Sequence, residues 1–520
     1  MALLRAAVFA ALFIGWISPT PARAQDVTLT SPDGAVEISG TLLGFDGEFY
    51  RVDTQYGELT VDGSGVSCDG PGCPNLSEFV AELALSGSSA MGEVLLPALI
   101  EGFALRKGLR TNRQNQDPTH FEYSLHRSQE GTAVARFLFR ITTTDEGFAD
   151  LLANEADVVM ALREIRPHEH QRAYEAGMGN MTDARRSRVL ALDAMVPVVA
   201  PGNPVQAVSV PQLAQVFSGR IVNWQDLGGP DAPIALHLPA AGSGLAQAVA
   251  DRLLAPVWYD FTTDIQRHDR GSALARAVTA DPFALGMASF SETGTARPLT
   301  LTGTCGYRLS ATRRTIKTED YPLTSPMFLY LPARRLPQIA REFLSYAQSP
   351  AAQVVIRRAG FVDQAPEYIR VRAQGERLAN AIQAAGEEVK LSELQRMVEM
   401  MKPTRRLSTS FRFETGSTRP DAQSRANIAQ LARALEVGNY DARELIFVGF
   451  SDGEGAAAGN RRIARKRAEA VRDAVLAAAE TMDAARTKIR VEAFGEALPM
   501  ACDDSAWGRQ VNRRVEVWVH

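Results

Sequence analysis

The first chemistry visible in this 520-residue chain is an acid and a base set fifteen positions apart, Asp452 and Arg467. Asp452 closes a strand, and Arg467 falls within RRIARKRAEAV, which reads as a long helix. One anion and one cation at a strand–helix junction suit a zwitterionic ligand that carries both an ammonium and a carboxylate. The plainer alternative is an ordinary surface ion pair on an α/β domain. Near the C-terminus, Asn512-Arg513-Arg514-Val515 adds two more guanidinium groups to the same region.

The spacing of these residues resembles the OmpA-like peptidoglycan-binding domain. Gly449, Asp452, Gly455, Asn460, Arg467, Ala468 and Val471 fall in register with that family's pattern, as do Asn512, Arg513, Arg514 and Val515. The resemblance implies that Asp452 and Arg467 grip the ammonium and carboxylate of diaminopimelate in the peptidoglycan stem. It also implies that Asn460 steadies the loop at the helix start and that Arg513 supports the pocket. Phe450 stands where the family has His, Ser451 where it has Thr, and Ile463-Ala464 where it has Leu-Ser. Phe450 and Ser451 are therefore expected beside the ligand, shaping its pocket.

A second constellation lies upstream in Gly87-Ser88-Ser89-Ala90-Met91-Gly92, the run VFSGRIVNWQDLGG from Val216 to Gly229, and Ala241-Gly242-Ser243-Gly244-Leu245. In that order these segments resemble the PstS-like, phosphate-type periplasmic substrate-binding proteins of ABC transporters. The resemblance implies two lobes with a ligand cleft between them. Helices starting after Ser89, Gly244 and Gly271-Ser272 could aim backbone amides and dipoles at one anion such as phosphate. Ser88, Ser89, Ser243, Gly244 and Ser272 are the expected anion contacts, with Arg163 supplying the full charge. Ser is also favoured at helix N-caps for its own sake, which gives each serine a purely structural alternative. The Arg that the family places four residues before its final Ser is Pro239 here.

The elements that would hold these residues follow from pattern. Residues 1–24 read as a secretory signal, with Arg5, an apolar run from Ala6 to Ile17 and an Ala22-Arg23-Ala24 end. Residues 25–75 read as a small β module with turns at Pro32-Asp33-Gly34, Asp46-Gly47 and Tyr56-Gly57. From 76 to 363, strands and helices alternate as in an α/β domain with crossovers. Residues 364–405 read as a helical connector, helical from Arg377 to Met401, spacing the domains semi-rigidly. Residues 406–520 form the last α/β domain. The expected fold is therefore multidomain α/β.

Four cysteines in an exported chain are expected to pair. Cys68 and Cys73 bracket Asp69-Gly70-Pro71-Gly72, a turn that would bring their sulfurs together. Cys305 and Cys502 are left open, as free thiols or an interdomain bridge. Net charge is −4, and near −6 once Arg5 and Arg23 leave with the signal, which argues against nucleic-acid binding. Past the signal, no apolar stretch approaches a membrane span.

Catalytic readings fail on spacing. Gly87-Ser88-Ser89-Ala90-Met91 lacks the final glycine of a nucleophile elbow. His168-Glu169-His170 follows Pro167 in polar sequence and reads as a solvated loop rather than a metal pair. No H-E-x-x-H, Walker or dinucleotide pattern occurs. The expectation is a non-enzymatic periplasmic protein without cofactor or metal, associated with peptidoglycan and the outer membrane. It would present an anion-binding domain, or alternatively serve as a tether whose upstream domain has lost its ligand.

Overall fold

The computed structural model describes residues 26–76, 79–128, 131–386, 388–414, 416–483 and 485–520. The signal-peptide expectation lies outside them. Among the described residues, those from Asp26 to Ala81 form one compact unit together with Leu336–Gln338, and the others form a second.

In the first unit, strands Val27–Thr30, Glu37–Phe45, Phe49–Thr54, Gly57–Asp62 and Ser67–Asp69 make one antiparallel sheet. Burial alternates along Phe49–Thr54, as the two-residue strand period requires, and Val27, Leu29, Tyr50 and Val52 form the core. Cys68 and Cys73 are joined, with Cα atoms 5.9 Å apart.

The second unit opens with an eleven-stranded sheet. One lobe carries Ala81–Gly87, parallel to Val158–Ala161 and flanked by a meander of Ala133–Ile141, His120–His126 and Arg110–Asn115. The other carries Ala235–Pro239 between Gln266–His268 and Ala284–Ser289. The thirteen-residue strand Ser187–Val199 joins them. It pairs with Thr324–Tyr330 along its first part and with Ala284–Ser289 along its last. It is buried along nearly its whole length and is mostly apolar, with Asp193 as a buried acid in its middle. In the segment from Val216 to Gly229, Val216, Phe217 and Trp224 are fully buried. The Trp224 indole donates to Phe283 O at 2.8 Å, so this run builds the lobe.

The C-terminal sheet runs in the order Tyr368–Arg370, Arg405–Phe411, Arg514–Val519, Glu444–Phe450, Lys488–Gly495. Along Glu444–Phe450 alternate residues face opposite sides. Leu445 and Phe447 pack under helices Ala422–Glu436 and Ala457–Ala478. Ile446, Val448 and Phe450 pack against Ala381, Leu394, Met397 and Met401. These last residues belong to Gly375–Ala384 and Leu391–Met401, so the connector is two helices rather than one. Nor is it a spacer. Its apolar stripe covers the back of the sheet, and Tyr368–Arg370 adds an edge strand.

The two-lobed and C-terminal regions are fused within this unit. Cys305 and Cys502 are bonded, with Cα atoms 5.6 Å apart. Arg406 donates to both carboxylate oxygens of Asp320 at 2.7 and 3.0 Å, and Trp507 Nε1 donates to Arg252 O at 2.9 Å.

Candidate functional site

Strand Glu444–Phe450 and helix Ala457–Ala478 approach so closely at Gly449 that any Cβ there would collide with the Ala464 carbonyl. That contact sets the loop 451–456 beside the helix turn carrying Arg467. Asp452 Oδ2 accepts from Arg513 Nη1 at 2.6 Å. Arg467 is 4% exposed, its guanidinium lies 5.3 Å from the Phe413 ring, and its Nε has no hydrogen-bond partner. Among the described residues no carboxylate forms an ion pair with it. Burial, and then the nearby Arg513, hold its pKa below the ordinary value, with Asp452 opposing. The structure therefore brings Asp452, Arg467 and Arg513 together.

The loop is braced from below. Asn460 donates to Gly455 O at 3.4 Å and also to Glu496. Asn512, fully buried, accepts from Met500 N and Ala501 N at 2.7 and 3.0 Å and donates to Asp503 at 2.8 Å. Asp503 in turn accepts from Gly453 N at 2.8 Å. Sequence reasoning missed Asp503. Its signal was the run of Asn512 to Val515, whose first residue needs a partner loop. It also missed Glu388, which accepts from Ala457 N at 2.7 Å at the start of the Arg467 helix, and nothing in the sequence marked that contact.

One expected site residue moves. Phe450 is fully buried on the opposite side of the sheet, with Arg514 4.3 Å from its ring and Phe494 beside it. Strand alternation turns it away from Arg467, so it builds the core and not the pocket wall. Ser451 is 2% exposed and its hydroxyl lacks a partner.

The upstream serines and helix starts meet groups of the protein itself. Gly244 packs on Ser88, where an added Cβ would lie 3.0 Å from Ser88 Cβ and Oγ. Ser88 is fully buried and its hydroxyl has no partner. Ser243 caps helix Gly244–Val249, accepting from Ala246 N at 3.2 Å. Ser89 precedes the helical turn Ala90–Leu95 without a side-chain cap bond. Ser272 is exposed in the first turn of Gly271–Ala280. The Glu292 carboxylate presses on Gly271, filling that helix start. Gln247 Oε1 accepts from Thr144 N at 3.0 Å, taking an amide of the helix start facing it. Burial, and then Asp193 and Glu93, raise the Glu292 carboxyl pKa.

Arg163 is not free to meet an anion. It donates to Glu169 at 2.8 and 2.6 Å and to Asp145, with Asp251 at 3.7 Å. Arg166 grips both oxygens of Asp145 and both of Asp251, all at 2.9 Å, and so ties one lobe to the other. Part of the reason is local. Pro167–Glu175 is a helix rather than a solvated loop, and it carries Glu169 back onto Arg163. No group of three or more His, Cys, Asp or Glu among the described residues could hold a metal ion. No helix among them is long and apolar enough to cross a membrane.

Comparison with known proteins follows this division. A PBP superfamily domain model matches residues 77–351, and an OmpA family model matches residues 412–513. The protein SphX of Synechococcus elongatus is 22% identical over 234 residues, covering 43% of this chain and 67% of that protein. The phosphate-binding protein PstS of Bacillus subtilis is 27% identical over 165 residues, covering 32% of this chain and 52% of that protein. The chain thus spans half to two thirds of the length of these relatives. Among solved structures, an ABC-type phosphate transport receptor from Vibrio cholerae shares 20% identity at a TM-score of 0.40, covering 54% of this chain and 99% of that one. The peptidoglycan-associated lipoprotein from Burkholderia pseudomallei shares 25% identity at a TM-score of 0.19, covering 21% and 89%.

Proposed function

We propose that this chain, which belongs to the PBP superfamily and carries an OmpA family domain at its C-terminal end, is a non-catalytic periplasmic protein tethered to peptidoglycan. Arg467 carries the reading. Arg467 is 4% exposed as a residue, its Nε lacks a hydrogen-bond partner and no carboxylate pairs with it among the described residues, an arrangement that is costly to leave alone. The carboxylate of diaminopimelate would complete it. The ligand's ammonium would then compete with Arg513 for Asp452, whose second oxygen carries no hydrogen bond among the described residues. Asn460, Asn512 and Asp503 hold the loop in which that exchange happens.

In this reading the PBP-like domain is a body presented at the wall, closed on itself. Gln247 on the Thr144 amide, Glu292 against Gly271 and the Arg166–Asp251 bridge support that reading. A second reading, solute binding, is favoured by one observation: the buried Ser88 hydroxyl lacks a partner where two helix starts meet. It requires the Arg166–Asp251 and Gln247–Thr144 contacts to open first.

Co-sedimentation of the full chain with purified sacculi tests the tether. Retention in the pellet through washing is expected, and a chain left in the supernatant would end the reading. Phosphate titration in the same preparation separates the two views of the cleft. Heat of binding lost on Ser88→Leu supports solute binding, and no heat supports the closed body.

A further inference from the structure

A cavity of about 690 Å³ lies away from both sites described above, between the 300–315 region, helix Gly375–Ala384 and strand Arg405–Phe411. Its floor holds Arg377 and Arg406. These pack with Arg412 and Arg514 around Asp320 and Glu516, four guanidinium groups sharing two carboxylates. Arg406 is 1% exposed and Arg514 fully buried, so water does little to screen the excess. Guanidinium does not shed its charge at physiological pH, which leaves a counter-anion as the direct remedy.

The unfilled hydrogen bonds point the same way. Arg377 Nε and Gln374 Nε2 are both buried without a hydrogen-bond partner, and both residues line this cavity, whereas Arg406 Nε faces Glu516 at 3.3 Å. Gln374 is 7% exposed, and its oxygen is taken by Arg377, which fixes the amide with its N–H donors unclaimed. Each unfilled group is a donor. Around them Arg308 and Arg314 are exposed, while Arg313 is held by Glu367. Among the described residues, the only acids that line the space are Asp320 and Glu376. The volume exceeds what one phosphate fills and falls in the range of small-molecule pockets.

We propose that this cavity binds a small polyanion bearing two or more carboxylate or phosphate groups. Its anionic groups would meet Arg377 and Gln374 on the floor and Arg308 and Arg314 around them. Because the walls come from the PBP-like domain, the connector helix and the first long strand of the OmpA domain, the ligand would join all three.

The test is calorimetric titration of the full chain with citrate and with pyrophosphate at low salt, using orthophosphate as the smaller comparison. One of the first two should bind saturably and more tightly than orthophosphate. Citrate alone identifies a polycarboxylate ligand, and pyrophosphate alone a phosphate ester or anhydride. Arg308→Glu with Arg314→Glu should weaken binding at least tenfold. Glu376→Gln, which removes a negative charge from the lining, should tighten it. No binding by either probe overturns the proposal. So does affinity unchanged by both sets of substitutions, which would place the anion elsewhere.

Discussion

Asp320→Asn removes the negative charge that couples the PBP-like domain to the first long strand of the OmpA domain. Asp320 is 4% exposed and accepts from Arg406 at 2.7 and 3.0 Å, with Arg412 at 3.4 Å. Burial alone would raise its carboxyl pKa, but Arg406 overrides this and holds it at about 2. The fall from 3.8 to about 2 corresponds to roughly 2.5 kcal/mol, at about 1.4 kcal/mol per pH unit. Breaking a buried ion pair from one side costs about 3–5 kcal/mol, because the other charge is left stranded. The two figures place the loss at about 3 kcal/mol. Urea unfolding of the full chain, followed by tryptophan emission, reads it as a lowered midpoint at unchanged slope. A group held low contributes its stability above its ordinary pKa and loses it as pH falls through the folded value. The wild type should therefore weaken between about pH 4 and pH 2, and the variant should lack that component. A midpoint shift worth less than about 1 kcal/mol at neutral pH would refute the reasoning, since Arg406 and Arg412 would then not depend on Asp320.

Three further outcomes are expected. Replacing Cys305 and Cys502 by Ser opens a covalent loop of 197 residues, worth about 5 kcal/mol in chain entropy, and melting under non-reducing conditions should fall markedly; unchanged melting contradicts the bridge. Burial, and then Asp421, push the Glu319 carboxyl up to about 8, so its folded form keeps a proton that the unfolded chain gives up near 4.5. Stability should accordingly fall as pH rises from about 4.5 to 8, and Glu319→Gln should flatten that slope in a melting series. Gln247→Ala frees the Thr144 amide, which should exchange with deuterium faster while the core strands do not; equal protection would mean that the cleft is closed without Gln247.

Strands with a clean two-residue alternation were legible in the sequence, as were buried strands that are mostly apolar. Phe49–Thr54 and Ser187–Val199 show the two cases. Arg110–Asn115 and His120–His126 were missed, the first because RTNRQN is polar throughout and pairs at the sheet edge. The connector's apolar spacing was visible, but not that it would cover the back of a sheet, because periodicity names a buried face without naming what buries it. That Asp452 and Arg467 lie near one another could be read because their spacing is local to one strand–loop–helix unit, whereas the Arg513 partner of Asp452 comes from 61 positions away. The fate of Arg163 could not, since it depends on Asp145 and on Asp251, 88 positions away in sequence, as well as on a helix hidden in PHEHQRAYE. Phe450 was misplaced for a simpler reason: one step along a strand reverses the face, and only the fold shows which face holds the helix.

The most direct test of the wall-binding reading is the affinity of the full chain for a soluble muropeptide containing diaminopimelate, compared with that of Arg467→Ala. Removing one partner of a buried charged contact costs about 2–5 kcal/mol. At about 1.4 kcal/mol per factor of ten, this is a loss of roughly thirty-fold or more. Saturable binding by the wild type, and a drop of that size in a variant with unchanged circular dichroism, is the predicted result. Equal affinity in the two proteins would contradict the role assigned to Arg467, and no binding by either would contradict the tether itself.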